Sequence, residues 1–384
     1  MSPHPANPLR IALVTGNYNS VIDGVALTMN RLVGFLERSG VPVRVFAPVA
    51  ERPAFPHQGT VVPIPSMGLP NNPYRLALGL PPSARRALRA FSPTIMHLCT
   101  PDLLGIAALR WAGFQRIPAV ATCHTHFSSY LKYYRAGFLE PLVWRLQRAF
   151  YRRCAEVYVA TESMAEELRR HRVEANLVHA PFGVDPEQFH PGNRSMEWRR
   201  SLGIRDDEVV VCFVGRVVRE KGLAVFADVV NNLKSSGVKF RTLVVGDGAA
   251  RPALQQKLPD AIFTGYLGVD QVGTAFASSD IFLYPSASET FGCVTVEAMA
   301  SGVPVVVADA TGSRDIVRNG VDGLVCPPED RTAFTLVVRR LIENRAARAT
   351  LARAGIRRAA GYQWDHVHSD MLANYRRVLG TWRR

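Results

Sequence analysis

Short apolar runs, rich in valine and isoleucine, recur along the chain with polar stretches of helical spacing between them. RIALVTG is the first run. Residues 24 to about 39 then place apolar side chains at helical intervals, with Gly40 as the stop. VPVRVFAP follows as a second strand, and the proline-rich stretch from 51 to 82 keeps neither period and reads as a variable segment. The pattern resumes with a helix near 83 to 91, TIMHLCT, a helix at 102 to 112 and PAVATCH, then the aromatic and basic segment FSSYLKYYRAGFLEPLVWRLQRAFYRRC, AEVYVAT, a short helix and NLVHAP. Continuous apolar strands alternating with helices predict a parallel, doubly wound α/β sheet.

PFGVDPEQFHPG at 181 to 192 is rich in Pro and Gly, has no apolar period and serves as the linker. After it the alternation restarts with EVVVCFVG, FRTLVVGDG, AIFTGY, DIFLYPS and VPVVVAD. Two Rossmann-like doubly wound domains facing across a cleft are expected, 1–183 and 184–361. A C-terminal helix within 362–384 should pack back on the first.

Bulk properties narrow the class. A chain of 384 residues, 47% of them hydrophobic, can fill two cores. No segment approaches the roughly 18 apolar residues of a bilayer span, and no secretory leader is read at the amino terminus. The six cysteines (99, 123, 154, 212, 293, 326) show no CxxC spacing, which reads as a reduced, cytoplasmic protein. The net charge of +14 is uneven: residues 1 to 181 hold 20 Lys plus Arg against 10 Asp plus Glu. Such a bias suits an anionic surface or an anionic substrate. No nucleic-acid partner is expected, because zinc-finger, RNA-binding and basic-arm motifs are missing.

Two carboxylates draw attention in SASETFGCVTVEAMASGVPVVVAD, where Glu289 and Glu297 stand eight positions apart. Spacing alone is weak, since Glu166 and Glu174 repeat it in a polar Arg-rich stretch. Context separates the pairs. Glu289 follows an apolar strand and precedes a helix start whose backbone N–H groups suit an anion. In EVVVCFVGRVVREKGLAVF a strand ends at Gly215, and Arg216 and Lys221 enter the next helix, either as solvated charges or as ligands of a diphosphate at the sheet edge.

GRVVREKG, VVGDG and ETFGCVTVEAMASGVPVV together strongly resemble the retaining glycosyltransferases of family 4, as do DGVALTMNRL, CHTHF and the linker. The resemblance implies the GT-B fold and a nucleotide-sugar donor. It implies that Arg216 and Lys221 hold the donor diphosphate, Glu297 the ribose and Glu289 the donor sugar. His124 would face that sugar from the first domain. Further donor contacts fall at Gly24, Gly215, Gly246, Asp247, Tyr266, Phe291, Gly292, Cys293 and Val294. No cofactor and no metal are expected: a DxD motif is missing, His124 and His126 have no accompanying carboxylates, and fixed cations replace the metal electrostatically. The family also implies retention of the anomeric configuration without an enzymatic nucleophile.

The acceptor is a lipid or glycan on this reading. Tyr130, Lys132, Tyr133, Tyr134 and Arg135 set aromatics beside basic residues, as at an anionic lipid interface or on a half-buried helix. HTHFSSYLKYY resembles bacterial transferases that glycosylate membrane lipids. GDP-mannose is the first expectation for the donor, with UDP-glucose, UDP-galactose or UDP-glucuronate as alternatives. Peripheral contact with the inner membrane face follows. A nicotinamide oxidoreductase is disfavoured, because VTGNYNSVIDG stands where G-x-G-x-x-G would be required. A non-catalytic basic binding protein would leave Arg216, Lys221, Glu289 and Glu297 unexplained.

Overall fold

A computed structural model describes residues 8–69, 72–124 and 137–382. Nine strands come first: β1 (Ile11–Val14), β2 (Val43–Pro48), β3 (Thr60–Ile64), β4 (Ser66–Leu69), β5 (Asn72–Ala77), β6 (Ile95–Leu98), β7 (Ala119–Cys123), β8 (Glu156–Val159) and β9 (Leu177–His179). Seven of them form a parallel sheet in the order β3-β2-β1-β6-β7-β8-β9. Six more, β10 (Val210–Val214), β11 (Arg241–Val245), β12 (Ile262–Gly265), β13 (Ile281–Tyr284), β14 (Val305–Ala308) and β15 (Leu324–Cys326), form a second parallel sheet in the order β12-β11-β10-β13-β14-β15. Both sheets are covered on both faces, so β1, β10, β13 and β14 are buried at every position. This is why the strands read as unbroken apolar runs.

Each strand order runs outward, then returns past its first strand. The reversal leaves a crevice at the carboxyl ends of the strands, between β1 and β6 in one sheet and β10 and β13 in the other. By contacts, one unit holds the described residues of 8–124, 137–181 and 365–382, and the other is Phe182–Trp364.

The last helix, Trp364–Thr381, packs on the first sheet: Met371, Leu372, Tyr375 and Val378 join Ile11, Leu13, Val45 and Ile95 in one core. The Tyr375 hydroxyl lies 2.7 Å from His97 Nδ1, and His97 Nε2 lies 2.7 Å from Thr122 Oγ1. Burial pushes the His97 imidazolium down to about 3, with His124 adding to the effect, so the ring is neutral. Tyr375→Phe should therefore strand a buried ring nitrogen and cost about 1–3 kcal/mol. A thermal melt that shows no loss would contradict that bond.

The proline-rich stretch from 51 to 82, in which no element is predicted before the helix near 83, contains strands. It supplies the parallel edge strand β3 and the antiparallel hairpin β4–β5. Pro63 lies within β3, and an edge strand tolerates a residue without an N–H. The prolines that hide the strand from periodicity are thus compatible with it.

Candidate active site

The second crevice is assembled by close backbone contact. β10 runs into Gly215, the turn Arg219–Lys221 and Gly222, which opens the helix Leu223–Ser235. Gly222 has φ +70°, and a Cβ there would lie 2.3 Å from the carbonyl oxygen of Pro285. The loops after β10 and β13 are therefore in contact, and this brings Lys221 to Glu289.

Lys221 Nζ donates to Glu289 Oε1 at 2.6 Å. The Tyr284 hydroxyl and Ser286 Oγ donate to the same oxygen, each at 2.8 Å. Lys221 and Glu289 have side chains only 11% and 12% exposed, so the pair is largely withdrawn from water. Burial alone would raise the Glu289 carboxyl, but the Lys221 charge and the hydrogen bonds from Lys221, Ser286 and Tyr284 outweigh it and hold the group below its ordinary value. Glu289 is an ionised acceptor. Tyr284 is pushed up by burial and by the neighbouring carboxylate, so its hydroxyl keeps its proton.

The remaining residues of this unit surround that pair in different ways. Arg216 stands 53% exposed, with Glu220 as an ion partner at 3.9 Å. Gly246 closes the adjacent loop: a Cβ there would lie 2.0 Å from the Gly215 carbonyl oxygen, and its N–H donates to Gly265 O at 2.8 Å. Asp247 accepts from Gly248 N at 2.7 Å and from Arg251 at 2.9 Å, and Tyr266 is exposed. The Phe291 ring is buried in an aromatic cluster, 5.4 Å from Phe182 and 5.6 Å from Tyr362 between centroids. Gly292, in the left-handed region, precedes the helix Cys293–Ala300, on which Cys293, Val294 and Glu297 are half-buried.

In the first unit, Gly24 opens the helix Gly24–Arg38. Asp23 caps that helix through Ala26 N at 2.7 Å, and accepts from Asn17 at 2.8 Å and the Tyr74 hydroxyl at 3.0 Å. A Cβ at Gly24 would meet nothing within 4 Å. His124 follows β7 and is buried. Burial pushes its imidazolium down to about 3, leaving a neutral ring at pH 7. Tyr130, Lys132, Tyr133, Tyr134 and Arg135 lie outside the described residues, as does His126. Among the described residues, no three His, Cys, Asp or Glu side chains are grouped to hold a metal. None of the six cysteines takes part in a disulfide, and no described helix is long and apolar enough to cross a membrane.

Two parallel sheets of Rossmann strand order are the architecture of the GT-B class. The comparisons sharpen this. A family model described as Glycosyltransferase Family 4 matches residues 22–188, and one described as Glycosyl transferases group 1 matches residues 195–358. Two relatives named GDP-mannose-dependent alpha-mannosyltransferase are 34% identical (Mycolicibacterium smegmatis, covering 97% of this chain and 98% of the relative) and 31% identical (Corynebacterium glutamicum, 98% and 91%). An Alpha-monoglucosyldiacylglycerol synthase of Acholeplasma laidlawii is 25% identical over 82% of this chain and 84% of its own. Sucrose-phosphate synthase from Thermosynechococcus elongatus shares the fold with a TM-score of 0.80, at 19% identity over 97% of this chain and 99% of that one. The chain belongs to glycosyltransferase family 4. It is an enzyme, a hexosyltransferase that uses a nucleotide-sugar donor.

Tyr284 and Ser286, which hold Glu289 with Lys221, escape the sequence reading. Their signal was present: two hydroxyls at the end of the apolar run DIFLYPS, just before the carboxylate.

Proposed function

We propose that the protein transfers a hexose, mannose from GDP-mannose in the first instance, to a hydroxyl of a membrane lipid or glycolipid, with retention and without a metal. The observation that carries the donor half is the ionised, largely buried Glu289 fixed by Lys221 at the switch point. Three donors converge on Glu289 Oε1, so the acceptor capacity of Oε2 can serve a hydroxyl of the donor sugar. Lys221 and Arg216 enter from one loop and supply the positive charge that a departing diphosphate needs. Glu297 accepts from ribose hydroxyls, and N–H groups at the start of the helix Cys293–Ala300 face the anion. Neutral His124 offers the sugar hydrogen bonds without adding charge. The donor choice is supported by relatives named for GDP-mannose, and the lipid acceptor by the relative named as a monoglucosyldiacylglycerol synthase.

The test is transfer of labelled mannose from GDP-mannose into an organic-extractable product, with UDP-glucose, UDP-galactose and UDP-glucuronate run in parallel. Label in the organic phase from GDP-mannose supports the reading. Transfer from a UDP-sugar alone would replace the donor, and transfer only to water-soluble glycans would replace the acceptor.

Gly24 supplies a sharper check. Alanine fits the free protein without a clash and favours a helix. Gly24→Ala should keep the melting temperature and raise KM for the donor about tenfold or more, since a methyl there blocks close approach of phosphate. An unchanged KM would remove Gly24 from the site.

A further inference from the structure

Glu289 is held by more than its ion pair. Tyr284, the last residue of β13, is 2% exposed, and its ring stacks on Phe282 at 5.3 Å and tilts against Phe213 at 5.5 Å between centroids. Packing on two sides fixes the ring, and with it the position of its hydroxyl. Ser286, two residues on, is fully buried. The loop itself is pinned by its neighbours: Ser288 Oγ donates to Glu220 O at 3.0 Å, and a Cβ at Gly312 would lie 3.0 Å from the Glu289 carbonyl oxygen. Backbone and side chain of Glu289 are thus both fixed by groups other than Lys221. The carboxylate feels the consequence. Each of its oxygens has two lone pairs, and Oε1, with donors from Lys221, Tyr284 and Ser286, is saturated. Held by Lys221 alone, the group would keep freedom to rotate, because an ammonium is a point charge without a preferred plane. Two hydroxyls at fixed positions remove that freedom.

We propose that Tyr284 and Ser286 are positioning residues for sugar recognition: they turn Glu289 so that Oε2 alone meets the hexose of the donor, and neither touches the substrate itself. The inference rests on the reading of Glu289 as the sugar contact. Mere satisfaction of two buried hydroxyls would not select one carboxylate oxygen for both of them and for Lys221. The two residues act on ionisation as well as on geometry. Burial raises the Glu289 carboxyl, and the Lys221 charge with the bonds from Lys221, Ser286 and Tyr284 brings it below its ordinary value. Deleting either hydroxyl removes one downward contribution, so the carboxyl moves up and takes its proton at a higher pH.

The experiment is titration calorimetry of the full-length wild type, Tyr284→Phe, Ser286→Ala and Glu289→Gln with GDP and GDP-mannose, and with UDP and UDP-glucose in parallel, at about pH 7 and about pH 5. The substitutions keep the shape of each side chain, and thermal melts check the fold. Tyr284→Phe and Ser286→Ala should each weaken the sugar nucleotide about tenfold at the higher pH and leave the free nucleotide within about twofold, since only the sugar meets Glu289. At the lower pH the loss should widen in both. Glu289→Gln, which has no carboxyl to protonate, should lose sugar-nucleotide affinity equally at the two pH values. Wild-type affinity in either hydroxyl variant, while Glu289→Gln loses it, would overturn the role of that hydroxyl and leave the sugar contact standing. Equal losses for nucleotide and sugar nucleotide, with no dependence on pH, would overturn it too and mark a structural role. A Glu289→Gln protein that binds the sugar nucleotide as the wild type does, or a wild type that binds neither pair, sinks the donor reading and this inference with it.

Discussion

Lys221→Ala should lower kcat by about 10² to 10³ and also destabilise the protein. The two effects have separate causes. The rate loss comes from removing positive charge where the diphosphate departs. The stability loss comes from Glu289, whose side chain is 12% exposed and which then keeps its charge without a counter-ion. Breaking a buried pair from one side costs about 3–5 kcal/mol, and exposure at this level brings the expectation toward the lower figure.

The pH dependence carries a sign. In the wild type the Glu289 carboxyl is held low by Lys221, so its contribution is present above the unfolded carboxylate range and is lost as pH falls through its depressed value. Without Lys221 the desolvation that already opposes ionisation dominates and the carboxyl titrates high. The variant should then regain stability relative to wild type as pH is lowered toward 4 to 5. A Lys221→Ala melt that tracks the wild type at every pH would show that the pair does not hold Glu289 as described.

Arg216→Ala is the complementary case. It should also lose about 10² to 10³ in turnover, because charge stabilisation of the leaving diphosphate is a transition-state term. Its side chain is 53% exposed and faces Glu220 at 3.9 Å, so its removal should leave the melting temperature within about a degree or two of wild type. Steady-state kinetics and a melt on the same preparation separate the two cations. Wild-type turnover in Arg216→Ala would remove it from the catalytic set, and an equal loss of stability in both variants would deny the difference in burial.

Part of the candidate site is legible in the sequence, because parallel strands buried on both faces write themselves as apolar runs. Gly215 follows such a run directly, and Lys221 and Glu289 stand in the loops after β10 and β13. The carboxyl ends of β10 and β13 could therefore be read as the site. The pairing of Lys221 with Glu289 could not. The two residues are 68 positions apart, and they meet because Gly222 lets the backbone approach Pro285. Phe291 reads as part of the donor loop, yet its ring is spent on packing against Phe182 and Tyr362. Edge strand β3 was hidden by its own proline. Arg199, fully buried and bonded to Asp280 at 3.1 Å and Ser278 O at 2.8 Å, carries no sequence signal that separates it from solvated arginines nearby.

The most direct measurement is a thermal-shift panel of GDP-mannose, UDP-glucose, UDP-galactose, UDP-glucuronate, GDP and UDP on wild type, Arg216→Ala and Glu297→Ala. A ligand of the native state raises the melting temperature by mass action. The account predicts that one nucleotide family stabilises the wild type, GDP-mannose and GDP before the others, and that the shift is lost or sharply reduced in both variants. A folded wild type that responds to none of them, or variants that respond as strongly as the wild type, would contradict a donor site at the carboxyl edge of β10 and β13.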